Sequence, residues 1–439
     1  MTPVAPVNYR VKPGGTLRGR IPVPGDKSIS HRALILGAIA NGETRITGFL
    51  QGEDTLATMS ALRAMGVNIV QDKDDVIIHG VGLHGLTAPA TAIDLGNSGT
   101  SARLMAGLLA AQNFDSRIVG DASLMKRPMR RIVEPLQQMN ADISCTRAGK
   151  LPLIIHGGRR LQGMDYTLPV ASAQLKSCLL LAGLYANGTT CLHEPVPTRD
   201  HTERMLQQFG CPIEKNNGTI CISSSNGLNA QNISIPADIS SAAFFMVGAA
   251  IAGGSDITLA KVGINPHRVA VIRILQQMGA GITLANQREL SGEPVADIRI
   301  KAGPLTGIEI PLECVPSAID EFPAIMIAAA CAKGTTELHG AAELRVKESD
   351  RIQAVTEGLR AVGITAVAYD DGMQVTGGSI LGGRVNSYTD HRIAMAFIMA
   401  GLASKQPIMV QDCANINTSF PGFIDLARTC GMDIQQLTA

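Results

Sequence analysis

Six times along the chain a helix-like stretch closes on nearly the same phrase, and this repeat limits the possible folds more than any other feature. The phrases are Ala61-Leu62-Arg63-Ala64-Met65-Gly66-Val67, Pro135-Leu136-Gln137-Gln138-Met139-Asn140-Ala141, Met205-Leu206-Gln207-Gln208-Phe209-Gly210-Cys211, Ile274-Leu275-Gln276-Gln277-Met278-Gly279-Ala280, Gly358-Leu359-Arg360-Ala361-Val362-Gly363-Ile364 and Leu426-Ala427-Arg428-Thr429-Cys430-Gly431-Met432. The Gly or Asn falls at 66, 140, 210, 279, 363 and 431, in steps of 74, 70, 69, 84 and 68 residues. Recurrence at that period marks one supersecondary unit used six times, each copy burying its apolar face against its neighbours.

Each unit has the same grammar. A first helix, such as Arg32 to Ala40 or Leu179 to Ala186, is apolar on most sides and reads as buried. A break such as Asn41-Gly42, Asn187-Gly188 or Lys333-Gly334 supplies the glycine that a helix C-terminus prefers. A β-branched run follows, then a more amphipathic second helix, then another strand-like alternation after the closing Gly. The unit reads as two helices on a small sheet, with three units to a domain and two domains to the molecule. The length of 439 residues fits two domains better than one.

Composition excludes several functions. With 45% hydrophobic and 17% charged residues the chain is globular. A net charge of +1 gives no overall pull toward nucleic acid or anionic membrane, and the absence of Trp argues against base-stacking platforms. The longest apolar runs, Ala242 to Gly253 and Phe322 to Ala332, fall short of the roughly 20 residues a membrane helix needs. Met1 to Val7 lacks a basic region followed by an apolar core, so no secretory signal is read. Nine cysteines without a Cys-x-x-Cys pair suit a reduced, cytoplasmic protein. Nine dispersed histidines show no metal-ligand spacing, and Ser28, Ser172 and Ser177 lack a nucleophile elbow.

The helix starts carry the chemistry. Many hold Lys or Arg, which the positive end of a helix dipole disfavours unless an anion lies between them. In Asp26-Lys27-Ser28-Ile29-Ser30-His31-Arg32, Ser28 and Arg32 share a face and Lys27 stands at the start, so three donors converge; the nucleotide P-loop spacing is absent. Gly96-Asn97-Ser98-Gly99-Thr100 reads equally as an oxyanion-cupping turn or an ordinary one. In Arg345 to Arg351, Lys347 and Arg351 share a face, with Glu348 beside Lys347 as a proton-transfer candidate. Asp320 and Asp390, each at the start of an apolar run, read either as helix caps or as functional groups.

In this order the segments resemble the 5-enolpyruvylshikimate-3-phosphate synthase family, from Pro24-Gly25-Asp26-Lys27-Ser28 to Thr418-Ser419-Phe420-Pro421. Gly120-Asp121-Ala122-Ser123-Leu124 with Lys126-Arg127-Pro128-Met129, Thr198 to Glu203 and Leu344 to Arg351 are most similar to its class II bacterial branch. The resemblance implies an α/β (α+β) enolpyruvyl transferase fold, each domain built of three βαβαββ units whose helix N-termini face an inter-domain cleft. It implies one domain over 22–236 and a second over 1–21 plus 237–439. The implied reaction moves the enolpyruvyl group of phosphoenolpyruvate to the 5-hydroxyl of shikimate 3-phosphate and releases phosphate, with no cofactor or metal, in a monomer whose partners are these two small molecules.

Carried over by position, Lys27, Ser28, Arg32, Ser172, Ala173, Gln174, Arg199, Asp320 and Lys347 hold shikimate 3-phosphate. Lys27, Asn97, Gly99, Arg127, Gln174, Arg351 and Arg392 hold phosphoenolpyruvate, where bidentate guanidinium contacts suit carboxylate and phosphate. Asp320 is the implied base for the 5-hydroxyl, Glu348 the partner that protonates the methylene carbon, and Lys27 a third catalytic group touching both substrates. Two departures from the family pattern stand out. Many members carry Lys shortly before the Phe-Pro near the C-terminus, where this chain has Asn417-Thr418-Ser419, so the phosphoenolpyruvate site is expected to lack one cation. Gly99 stands where glyphosate-tolerant class II members carry Ala, so glyphosate is expected to compete with phosphoenolpyruvate here. The alternatives are a transferase acting on UDP-N-acetylglucosamine, whose family carries a loop cysteine absent from Gly120 to Arg130, and a non-catalytic anion-binding protein on the same repeat.

Overall fold

The computed structural model describes residues 7–437. Residues 1–6, which hold most of the stretch read as lacking a secretory signal, lie outside the described residues.

The closing phrase of every repeat ends its second helix in one hydrogen-bonded cap. Gly66, Asn140, Gly210, Gly279, Gly363 and Gly431 all have positive φ, between 72° and 109°. The amide of the next residue reaches back to the helix: Val67 to the Leu62 carbonyl, Ala141 to Leu136, Cys211 to Leu206, Ala280 to Leu275, Ile364 to Leu359 and Met432 to Ala427, at 2.9–3.2 Å. The Gly or Asn amide itself binds the carbonyl three residues back, which completes the Schellman geometry and satisfies two orphan carbonyls. A side chain adds a second clip. Arg63, Gln137, Gln207, Gln276, Arg360 and Arg428 each donate to the carbonyl six residues on, at Ile69, Ile143, Ile213, Ile282, Ala366 and Ile434. The cap therefore fixes the angle at which each helix hands over to its strand.

Among the described residues the strands form six small sheets. Three belong to repeats 1–3, with the strand orders 232–234, 41–47, 75–81, 68–72; then 93–94, 116–119, 153–156, 142–144; then 165–167, 189–193, 219–223, 214–216. In each, the first pair is parallel and the rest antiparallel, as a crossover helix followed by a hairpin requires. The remaining three follow the same plan, with the chain's first two strands contributing to them: Arg18–Ile21 runs parallel to Asp256–Gly263, and Asn8–Val11 pairs between Ile408–Gln411 and Ile434–Leu437. The fifth sheet has three strands, its parallel neighbour reduced to single bridges at Thr306 and Glu309.

The chain divides into two compact units, one of residues 25–235 with 289–293, the other of residues 1–24, 236–288 and 294–439. Each has its own apolar core. In the first, the helices Lys27–Ala38, Gly99–Leu109 and Ala173–Gly183 are buried along almost their whole length; in the second, Ile239–Ile251, Phe322–Ala330 and His391–Ala400 are. The sequence alternation of one apolar and one amphipathic helix per unit is thus the division between buried helix and outer helix.

Two expectations fail here. The glycines of the Asn-Gly and Lys-Gly breaks are not helix caps: Gly42 lies inside the strand Asn41–Thr47, and Gly188 and Gly334 directly precede strands, all with positive φ. The buried helices are capped three or four residues earlier, by Ile39, Leu184 and Cys331, because the chain must first turn before entering its strand. The chain also carries a disulfide, Cys191–Cys221, against the expectation of reduced thiols. The two cysteines sit directly opposite each other on antiparallel strands, a neighbourhood that a separation of 30 residues does not reveal. The other seven cysteines are free.

Candidate active site

In the unit of repeats 1–3 the candidate residues sit at the starts of the three buried helices. Asp26 caps the first by accepting from the Ile29 amide, and Lys27 opens it with its ammonium 2.9 Å from Asp54 Oδ2. Arg32, one turn in, is 4% exposed, so its charge must be matched by hydrogen bonds. It donates to Thr202 Oγ1 and Ser177 Oγ at 2.6 Å each, and to the Ser28 carbonyl at 2.8 Å. Burial pushes its pKa down to about 10, opposed by Glu203 and Asp26 and aided by the charge of nearby Arg199, so it stays protonated at neutral pH.

The second helix start is the turn Gly96 to Gly99, with Ser98 as cap and Gly99 as first helical residue. Arg127 reaches back to it, donating to Asn97 Oδ1 at 2.9 Å, while Asn97 donates to Asp121 at 2.7 Å. A methyl carbon on Gly99 would fall 2.7 Å from Arg127 Nη1 and 3.1 Å from Arg103 Nη1. Two guanidinium groups thus border the space that glycine leaves open. The third start places Ser172 as cap, Ala173 as first residue, and Gln174 bonded to both Arg103 (2.5 Å) and Thr100 (3.1 Å). Arg199 lies half-buried in the loop before the helix His201–Gln208. Lys176, fully buried, holds that loop through Glu194 at 2.9 Å and the Thr198 carbonyl at 3.3 Å.

The unit of repeats 4–6 holds the acidic candidates. Asp320 accepts from Lys347 Nζ at 3.1 Å and lies 3.5 Å from Arg351 Nη1. Arg351, 1% exposed, also meets Glu348 at 2.5 Å and Asp390 at 2.8 Å. Burial alone would lower the Arg351 pKa, but Asp390, Glu348 and Asp320 together push it up, so this cation is permanent. Arg392 donates to the Asp320 carbonyl at 2.9 Å and lies 3.7 Å from Glu321. Two carboxylates, Asp320 and Glu348, therefore share one buried guanidinium, and Asp320 also accepts from Lys347.

This geometry corrects the sequence reading in two places and resolves a third. Lys347 and Arg351 do not share a helix face: Lys347 ends a short 3-10 turn, Asp350 caps the next helix, and Arg351 begins it. They meet through Asp320 instead. Asp320 is not a cap, since Glu321 occupies that position. Asp390 is both a cap, accepting from the Arg392 amide at 2.9 Å, and a partner of Arg351. Thr418 is 4% exposed and donates to the Asn415 carbonyl at 2.7 Å. Sequence reasoning missed Arg103, Asp54, Ser177 and Thr202. For Arg103 a signal existed, its place one turn after Gly99; the others became visible only through packing.

The family model for EPSP synthase (3-phosphoshikimate 1-carboxyvinyltransferase) matches residues 11–426. The chain belongs to that family. A 3-phosphoshikimate 1-carboxyvinyltransferase of Methylococcus capsulatus is 60% identical over 430 residues, covering 98% of both chains. One from Alkalilimnicola ehrlichii is 58% identical, covering 97% of this chain and 96% of that one. Among solved structures, an EPSP synthase from Acinetobacter baumannii is 52% identical and superposes with a TM-score of 0.88, covering 98% of this chain and 100% of its own. The enolpyruvyl transferase NikO from Streptomyces tendae, at 17% identity and a TM-score of 0.80, covers 99% of each chain and shares the fold. The mixed α/β architecture is that of the EPSP synthase family. Among the described residues no helix is long and apolar enough to cross a membrane, and no group of His, Cys, Asp and Glu is arranged to hold a metal ion.

Proposed function

We propose that the chain catalyses the 3-phosphoshikimate 1-carboxyvinyltransferase reaction: the 5-hydroxyl of shikimate 3-phosphate adds to C2 of phosphoenolpyruvate, a proton goes to C3, and loss of that proton with inorganic phosphate leaves the enolpyruvyl ether. The observation that carries this reading is the pair Asp320 and Glu348 on the single guanidinium of Arg351. An addition followed by an elimination needs one group to take the hydroxyl proton and another to give and retake a proton at carbon. Two carboxylates with different surroundings supply both. Asp320, beside the Lys347 ammonium, serves as base to the 5-hydroxyl; Glu348 serves C3; Lys27 contacts both substrates.

Shikimate 3-phosphate is assigned to Lys27, Ser28, Arg32, Ser172, Ala173, Gln174, Arg199, Asp320 and Lys347. Phosphoenolpyruvate is assigned to Lys27, Asn97, Gly99, Arg127, Gln174, Arg351 and Arg392. Helix N-termini lie beside Lys27, Gly99, Ala173, Arg351 and Arg392, which supports anion binding by backbone amides as well as by cations. The reaction so written needs no cofactor, and we read the enzyme as a cytoplasmic monomer. Mass spectrometry of the acceptor tests it: shikimate 3-phosphate gains one enolpyruvyl group and UDP-N-acetylglucosamine stays unchanged, whereas the reverse pattern would overturn the assignment.

A further inference from the structure

The start of the first buried helix and the turn before the second are joined by a chain of buried side chains that touches no candidate residue directly. His31 lies on the helix Lys27–Ala38, between Lys27 and Arg32 in sequence, and is 0% exposed. Its Nδ1 is 2.8 Å from Thr58 Oγ1 on the outer helix Glu53–Ala64. Thr58 Oγ1 is 2.5 Å from Ser101 Oγ, and Ser101 Oγ is 2.6 Å from Ser98 Oγ, the cap of the helix that begins at Gly99. All four side chains are fully buried. Three helices are thus linked by one line of hydrogen bonds.

His31 Nε2 has no partner among the described residues, so the ring joins the line through Nδ1. At the other end Ser98 Oγ also accepts the Ser101 amide at 3.2 Å. The imidazole is neutral: burial, together with Lys27 and Arg32, holds its pKa well below the usual histidine value.

We propose that His31 is a positioning residue that fixes the Asn97–Gly99 turn relative to the Lys27–Arg32 helix start, and so sets the phosphoenolpyruvate groups against the shikimate 3-phosphate groups. The proposal rests on the substrate assignment above. The two sides depend on His31 unequally. The Lys27 helix is held independently by its Asp26 cap and by Arg32 on Ser177 and Thr202. The cap at Ser98 takes both of its hydrogen-bond partners from Ser101, whose hydroxyl is the end of the His31 line.

The test compares His31→Phe, which keeps a ring without donors, with His31→Asn, whose amide nitrogen stands where Nδ1 does. In the ligand-free protein, amide exchange of the segment 96–102 should quicken roughly tenfold in His31→Phe and return to near the parent rate in His31→Asn. The KM for phosphoenolpyruvate should rise by a similar factor in the first and recover in the second, while shikimate 3-phosphate binding measured alone changes by less than about threefold. If His31→Phe does not fold, Thr58→Val breaks the same line one link along and should reproduce both effects. Unchanged exchange and KM in these variants, or failure of Asn to restore them, overturns the proposal. A parent enzyme that releases no phosphate would refute the substrate assignment, and the exchange data would still decide the role of His31.

Discussion

Asp320 Oδ1 lies 3.1 Å from Lys347 Nζ, although the two residues are 27 apart and belong to different elements. Arg351 Nη1 lies 3.5 Å from the same oxygen, so two cations hold the carboxylate in place. A base so placed is ready to accept a proton without first losing one. Asp320→Asn keeps the shape and removes the acceptor, so single-turnover rates should fall by about 10²- to 10⁴-fold. Equilibrium binding of shikimate 3-phosphate should change far less. Equal losses in rate and binding would make Asp320 a structural residue.

Gly99 borders two guanidinium groups, and a methyl there must displace Arg127 Nη1 from its 2.7 Å approach. Gly99→Ala should raise the KM for phosphoenolpyruvate and raise the inhibition constant of glyphosate further. In the parent enzyme, glyphosate should compete with phosphoenolpyruvate. Inhibition kinetics at several phosphoenolpyruvate concentrations check both statements, and turnover unaffected by excess inhibitor in the parent enzyme would contradict them.

The six caps make a stability prediction with an internal control. Gly279 has φ 101°, and a Cβ there would lie 2.9 Å from the Pro304 carbonyl. Gly279→Ala should cost about 1–3 kcal/mol in chemical denaturation. Gln276→Leu, which removes the clip to the Ile282 carbonyl, should cost about 1 kcal/mol. Gly→Ala costing less than loss of the clip would mean that backbone strain is not what selects glycine there.

His31 gives a pH dependence. Its folded pKa is lowered by burial and then by Lys27 and Arg32, with Asp26 opposing, while the unfolded histidine titrates near 6.5. Below that pH the unfolded chain binds a proton that the folded chain refuses. Stability should therefore be full above about pH 6.5 and fall as pH drops below it, by up to about 1.4 kcal/mol per unit from this group. His31→Asn should flatten that part of the profile, and an identical slope in parent and variant would contradict the assignment of a neutral buried imidazole.

The repeat and its alternation of apolar and amphipathic helices were legible because both are local: a positive-φ glycine and a 3.6-residue period are written in consecutive residues. The likeness to the family was legible for the same reason. Contacts between distant segments were not. Lys347 and Arg351 look like neighbours on one helix only until the chain turns between them, and Cys191 meets Cys221 only through strand register. Arg103 and Gln174 lie 71 residues apart yet share a hydrogen bond, and no spacing rule connects them. The same holds for the line from His31 to Ser98, whose middle member, Thr58, is an undistinguished threonine in an outer helix.

The central claim is that the chain joins phosphoenolpyruvate to shikimate 3-phosphate, and phosphate release from phosphoenolpyruvate tests it most directly. With shikimate 3-phosphate present, in metal-free buffer, stoichiometric release is expected; without it, none. Release that ignores shikimate 3-phosphate, or appears only with UDP-N-acetylglucosamine, would contradict the account.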